Sequence, residues 1–173
     1  EERPDPAFTA VQALPMGDRG ELAVEVLTEV GVDRIVPWAA ARSVAVWKGE
    51  RAGKSHAKWQ ATAREAAKQS RRSWLPTVDP LASTAELAPL VADADLAVVL
   101  HEDATVPLNS LEVPASGRIL VVVGPEGGIA PDELDALAAA GAQPVRLGAE
   151  VLRTSTAGVV AVAALLARTP RWS

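Results

Sequence analysis

Two stretches of this chain combine glycine, charge and a change of hydrophobic period in a way that suits small-ligand binding. The first is Val121-Val122-Val123-Gly124-Pro125-Glu126-Gly127-Gly128-Ile129, a β-branched run that empties into a glycine loop ahead of a helix starting near Pro131. The second is Leu147-Gly148-Ala149-Glu150-Val151-Leu152-Arg153-Thr154-Ser155-Thr156-Ala157. It joins a short strand to another helix, with Arg153 just ahead of a polar helix start. Glycine lets backbone approach a flat ligand and offer it amide and carbonyl groups, and strand-to-helix turns of an α/β sheet are where such ligands sit. The first loop is no Walker motif, because no Lys-Ser or Lys-Thr follows its glycines, and it lacks G-x-G-x-x-G spacing, so phosphate cradling is not its chemistry. Alone it reads equally as a plain βα turn. A second loop of the same kind, brought beside it at the carboxyl edge of one sheet, favours a site.

The elements that must position these loops follow from hydrophobic period. Ala10 to Leu14 reads as a strand. Pro15-Met16-Gly17 reads as a turn, and Asp18 with Glu21 as a capping-box pair opening a helix that Gly31 ends. Arg34 to Trp38 is a second strand. Strand, helix and strand in so short a span make a βαβ unit, so the chain is expected to be α/β, with a mostly parallel sheet flanked by helices. A helix over Ser55 to Arg72 follows, then a helix over Ser83 to Val91 and strands over Leu96 to Leu100 and Arg118 to Val123. Pro131 to Ala140 is a helix with Pro in its first turn and acids at its positive end. Gln143 to Leu147 is a last strand and Thr156 to Ala167 a last helix. That helix is apolar all round and needs cover on every side, from its own subunit and from a partner. The segment from Glu102 to Ser116 is a loop long enough to call for a functional or disordered explanation.

Composition narrows the class. The 173 residues are 49% hydrophobic with five Trp, one Phe and no Cys, enough for one α/β domain burying about 70% of its unfolded surface. The lack of cysteine removes disulfides, thiolate metal sites and a cysteine nucleophile, and fits a reducing cytoplasm. No metal is expected. No apolar run approaches the roughly 20 residues of a membrane span, so a cytoplasmic protein with no membrane partner is expected. The net charge of -5 conceals an asymmetry: ten Lys or Arg lie between Arg34 and Pro76 against Glu50 and Glu65. On a helical projection at 100° per residue, Lys54, Lys58, Arg64, Lys68, Arg71 and Arg72 fall within an arc of about 140°. Such an arc suits a localised anionic partner, although a basic helix face is more often simply solvated.

The two loops, G-P-E-G-G and L-G-x-x-x-L-R-T-x-T-A, resemble the RsmE family of SPOUT methyltransferases, which methylate N3 of a uridine in bacterial small-subunit ribosomal RNA. Ala13-Leu14-Pro15-x-Gly17-Asp18-Arg19, Arg42-Ser43-Val44, Lys58-Trp59 and Glu65-Ala66-Ala67-x-Gln69-Ser70 match the family's patterns in order, so the resemblance covers nearly the whole chain. It departs at Met16, where Lys is common, at Ala149-Glu150, where Pro-Arg is frequent, and at Ser155, where Glu is frequent. The resemblance implies that residues 1–173 are a SPOUT catalytic domain without the PUA-like RNA-binding domain that precedes it in the family. It also implies a C-terminal trefoil knot, against the general rule on threaded connections, and a homodimer. S-adenosyl-L-methionine is then expected between Gly124, Glu126, Gly127, Gly128 and Ile129 on one side and Leu147, Gly148, Leu152 and Arg153 on the other. Leu100 and His101 form the third wall.

Alkylating uridine N3 requires loss of its proton, so a base or an anion-stabilising cation is needed. Arg153 is the candidate cation, with a bracing ion pair to Glu126 as its structural alternative. His101 is a weaker candidate base. Arg42, Lys58, Arg64, Lys68, Arg71 and Arg72 are expected to contact phosphates of the ribosomal RNA. Two other readings stay open: a SPOUT methyltransferase acting on another RNA, such as a tRNA ribose, or an RNA-binding relative without catalysis.

Overall fold

The near-continuous apolar runs decide the architecture, because each has two apolar faces and both must be covered. The computed structural model describes residues 2–173. Among them, six runs become strands: β1 (Ala7–Ala13), β2 (Arg34–Trp38), β3 (Thr77–Val78), β4 (Leu96–Leu100), β5 (Arg118–Val123) and β6 (Gln143–Val145). They pair in the order β3-β2-β1-β5-β4-β6, every pairing parallel. The connecting helices are α1 (Arg19–Val30), α2 (Glu50–Gln69), α3 (Thr84–Ala92), α4 (Pro131–Ala140) and α5 (Thr154–Leu166).

Alternation along β5 shows the two layers directly. Ile119, Val121 and Val123 join Leu27 of α1, Trp59 of α2 and Val162 and Leu165 of α5 in one core. Leu120 and Val122 join Leu87 and Val91 of α3 and Leu137 of α4 in the other. The sheet is therefore sandwiched, as a parallel sheet must be. Helix α5 lies so close to it that a Cβ on Gly158 would stand 3.1 Å from Val123 and 3.2 Å from Leu27. Not all of α5 is covered: Val160 is 43% exposed, and Val151 in the segment before it 78%. Among the described residues, no helix is long and apolar enough to cross a membrane.

The long segment between β4 and β5 has a structural job. Val145 accepts the His101 N–H on the β4 side, whereas Arg146 donates to Val106 and accepts from Leu108 (3.0 and 2.9 Å). Successive residues of a parallel strand direct their hydrogen bonds to opposite sides, so Val106–Leu108 flanks β6 on the side away from β4. The chain leaving β4 thus rounds the outer flank of β6 before returning to β5, and a single 3-10 turn at Leu108–Ser110 marks the return.

Several expectations are corrected. Helix α2 ends at Gln69, and Arg71 takes a left-handed conformation (φ 57°), so the projection that placed Arg71 and Arg72 on its arc does not apply to them. The Asp18–Glu21 box does not form: Asp18 makes no capping bond, and Glu21 pairs with Lys58 instead (3.0 Å). A full capping box forms at α3, between Ser83 and Glu86. Strand β6 stops at Val145, and α5 begins two residues earlier than expected, at Thr154.

Candidate active site

Because every strand runs the same way, the segments after β1, β2, β4, β5 and β6 meet at one edge of the sheet. The loop after β5 is fixed by three contacts. A Cβ on Gly124 would lie 2.5 Å from the Ile129 side chain, which is buried in the α3–α4 core. A Cβ on Gly127 would lie 3.0 Å from the Arg42 carbonyl oxygen and 3.2 Å from its Cβ. Glu126 accepts the Met16 N–H at 3.1 Å. Glycine at 124 and 127 is thus demanded by the protein's own packing, and Gly128 by its φ of 82°.

The segment after β2 is held as firmly. Glu133, in the first turn of α4 and only 6% exposed, accepts the Ala41 N–H on both carboxylate oxygens (3.2 and 3.1 Å). It also accepts the Thr84 hydroxyl at 2.6 Å. Thr84 Oγ1 in turn accepts the Trp38 indole N–H at 3.1 Å. The strap from Ala39 to Ser43 is therefore bound to the helix that follows the glycine loop, and the Arg42 guanidinium passes over Gly128, 3.9 Å from where a Cβ would be.

The second crossing is tied to the same place through β1. Gln12, fully buried, donates Nε2–H to the Thr154 carbonyl (3.1 Å). Arg19 donates Nε–H and Nη2–H to Ser155 Oγ (3.0 and 2.7 Å). Leu147 is half-buried, while Gly148, Leu152 and Arg153 are exposed. Space at Gly148 is open, the nearest atom to a Cβ there being Glu150 Oε2 at 3.7 Å. Arg153 stands at the start of α5 with no ion pair among the described residues. The brace to Glu126 is not formed, since Glu126 is on Met16. Leu100 and His101 close the end of β4. The imidazole Nδ1 accepts the Asp103 N–H (3.2 Å), which leaves the proton of the neutral ring on Nε2.

The basic residues divide. Arg64, Lys68 and Arg71 are exposed, Lys68 pairing with Glu65 (3.1 Å), and Lys58 is drawn onto α1 by Glu21. Arg72 is turned inward, 10% exposed, donating to the Thr28 and Val32 carbonyls and pairing with Asp33 at 3.0 Å. Burial pulls its pKa down, against the Asp33 charge that raises it. It is a buried structural cation and not a phosphate contact. Sequence reasoning missed Gln12, Arg19 and Glu133. Their partners lie 142, 136 and 92 positions away, so no local pattern carries the signal.

A doubly covered parallel sheet with two glycine-bearing crossings bound to one strand end is the form of an RNA methyltransferase domain, and the family model of that description matches residues 1–166. The ribosomal RNA small subunit methyltransferase E of Mycobacterium bovis is 50% identical over 171 residues, covering 96% of this chain and 65% of that protein. The crystal structure of the Neisseria gonorrhoeae ribosomal RNA small subunit methyltransferase E bound to S-adenosyl methionine superposes with a TM-score of 0.83. Its identity is 30%, over 95% of this chain and 67% of that one. A Legionella pneumophila methyltransferase solved with the cofactor SAM gives 0.88 at 26% identity, over 94% and 66%. The chain belongs to the RNA methyltransferase domain family, in its ribosomal RNA small subunit methyltransferase E (RsmE) branch. It spans about two thirds of the length of these relatives.

Proposed function

We propose that this chain is the catalytic domain of an enzyme that methylates N3 of a uridine in 16S ribosomal RNA of the small subunit, with S-adenosyl-L-methionine as donor. The observation that carries the reading is the tie of both glycine-bearing crossings to the end of β1, through Met16–Glu126 on one side and Gln12–Thr154 and Arg19–Ser155 on the other. The residues between them fit the donor: open backbone at Gly148, exposed apolar Leu152, and exposed backbone at Gly127 and Gly128 suit a neutral purine and a thioether chain. Gly124, Glu126, Gly127, Gly128 and Ile129 form one wall. Leu147, Gly148, Leu152 and Arg153 form the second, and Leu100 and His101 the third.

When bound, the donor supplies an activated methyl group and departs as a neutral thioether, so the chain's main task is alignment of the base. The N3 proton passes to solvent, and Arg153 balances the charge left on the uracil. Arg42, Lys58, Arg64, Lys68 and Arg71 neutralise RNA phosphates. The exposed Val151, Leu152 and Val160 are the surface that a second copy covers in a homodimer. The passage of the β4–β5 connection around β6 is the crossing from which a trefoil knot is built, with α5 drawn through it.

Mass-spectrometric mapping of 16S nucleosides from cells with and without the gene tests the reading. Expected is loss of one N3-methyluridine in the deletion, restored by the gene. An unchanged map, or calorimetry showing no heat with S-adenosylmethionine, overturns it.

A further inference from the structure

We propose that Glu133 is a positioning residue whose function is to hold the Arg42 strap over the glycine loop, and that Arg42 is a second cation, beside Arg153, that meets an oxyanion of the target nucleotide. The inference rests on the functional reading above and deepens it.

Its packing against the glycine loop and the polar atom beside it separate Arg42 from the other basic residues, and like Arg64 and Arg71 it is free of an ion pair among the described residues. It is the only member of the predicted set whose backbone is packed against a loop of the site: its carbonyl and Cβ fill the space that any side chain on Gly127 would need. It carries no ion pair among the described residues, so its charge is uncompensated within the chain. Beside it, Ser43 Oγ is buried and without a hydrogen-bond partner, an unmet polar atom on the same strap. Lys68 and Lys58, by contrast, already have carboxylate partners.

Glu133 accounts for the rigidity. Its buried carboxylate has no cation among the described residues. The N–H of Ala41, the residue before Arg42, and the Thr84 hydroxyl hold it, with the first turn of α4 adding its positive end. A buried carboxylate without a counter-ion is costly, and here it fixes the backbone one residue from an unpaired guanidinium. The chain from Trp38 through Thr84 to Glu133 makes that anchor rigid. A strap fixed before the ligand arrives limits the reorganisation needed to bring its cation to charge as that charge forms. The same nucleotide offers such charge at its backbone phosphate and at the oxygens of its deprotonated base.

The test is a double-mutant cycle on Glu133→Gln and Arg42→Ala, with Thr84→Val as a second perturbation of the anchor. A 16S fragment is the RNA, and both RNA affinity and turnover are read. Arg42→Ala is expected to lower kcat/KM by about 10²-fold, with affinity for S-adenosylmethionine by calorimetry unchanged. Glu133→Gln and Thr84→Val are expected to lower it less, and Glu133→Gln should add nothing once Arg42 is Ala. A flatter salt dependence of RNA binding in Arg42→Ala assigns the phosphate, and recovery of turnover at alkaline pH assigns the base. Additive effects, or a loss of donor affinity in Glu133→Gln that matches its loss of turnover, overturn the proposal by making Glu133 a support of the whole fold. RNA affinity and turnover unaffected by Arg42→Ala overturn it as well. A wild-type chain that binds the RNA but forms no N3-methyluridine defeats the functional reading, while the cycle on RNA affinity still decides the inference.

Discussion

The two edges of the sheet handle charge in opposite ways. At the amino edge each of four arginines has an aspartate: Arg34 has Asp79, Arg118 has Asp93, and Arg72 and Arg171 share Asp33. At the carboxyl edge Arg19, Arg42, Arg146 and Arg153 have no carboxylate among the described residues. Three acids there take backbone N–H groups, Glu126 from Met16, Glu133 from Ala41 and Glu86 from Ser83, while Glu21 pairs with Lys58. Pairing of these four arginines closes the fold, and the unpaired arginines of the other edge, with Arg71 beside Arg72, leave positive charge for something outside the chain. A net-acidic protein that binds a polyanion needs such a division, since its charge as a whole would repel the ligand.

Breaking the amino edge should cost the most stability. Asp33→Ala leaves Arg72 and Arg171, 10% and 14% exposed, without their shared anion, and also removes the acceptor of the Phe8 N–H. Stranding buried charge in this way costs about 3–5 kcal/mol, read as a lowered midpoint in urea unfolding. A loss below about 1 kcal/mol would mean that the carbonyls of Thr28, Gly31, Val32 and Pro6 alone satisfy the two guanidiniums. At the carboxyl edge Ser155→Ala removes two hydrogen bonds from Arg19. Arg19 is only half-buried, and water replaces the hydroxyl, so about 1 kcal/mol is expected by the same measurement. A loss as large as that of Asp33→Ala would erase the distinction between the edges.

Most of the sandwich was legible because apolar runs report burial directly: β2, β4, β5 and α4 fall where Val, Ile, Leu and Ala repeat, and Gly31 ends α1 as expected, in a left-handed conformation. What was illegible depended on distant partners. Strand β3 is two residues long and exists because Arg34 and Ile35 pair with it, which no pattern in Thr77-Val78 announces. Asp18 and Glu21 have the spacing of a capping box, but Asp18 sits at φ -91°, ψ 7°, outside the extended conformation a cap requires, while Lys58 claims Glu21. Arg72 looked like a surface cation because the projection assumed a helix that had already ended. In the site, the glycine loops were visible as motifs. The reason for Gly127 was not, because it lies in the backbone of Arg42, on a strap 85 positions earlier in the chain.

The smallest effect sharpens the carboxyl edge by pH. Glu86 closes the α3 capping box, accepting the Ser83 N–H at 3.0 Å while Ser83 Oγ accepts the Glu86 N–H. The backbone hydrogen bond from Ser83, and then the bond to its side chain, hold the Glu86 carboxyl below the usual glutamate range. A carboxyl whose folded pKa is depressed is protonated more readily in the unfolded chain, so folding gains from its ionised form. That gain is fully present above the ordinary glutamate pKa and is lost as pH falls through the lowered folded value. Glu86→Gln keeps an acceptor but cannot ionise. The Tm difference between wild type and Glu86→Gln should therefore be largest near neutral pH and vanish in acid. A difference that persists in acid would assign the cap to hydrogen-bond geometry alone and take Glu86 out of the set of acids whose charge the backbone holds.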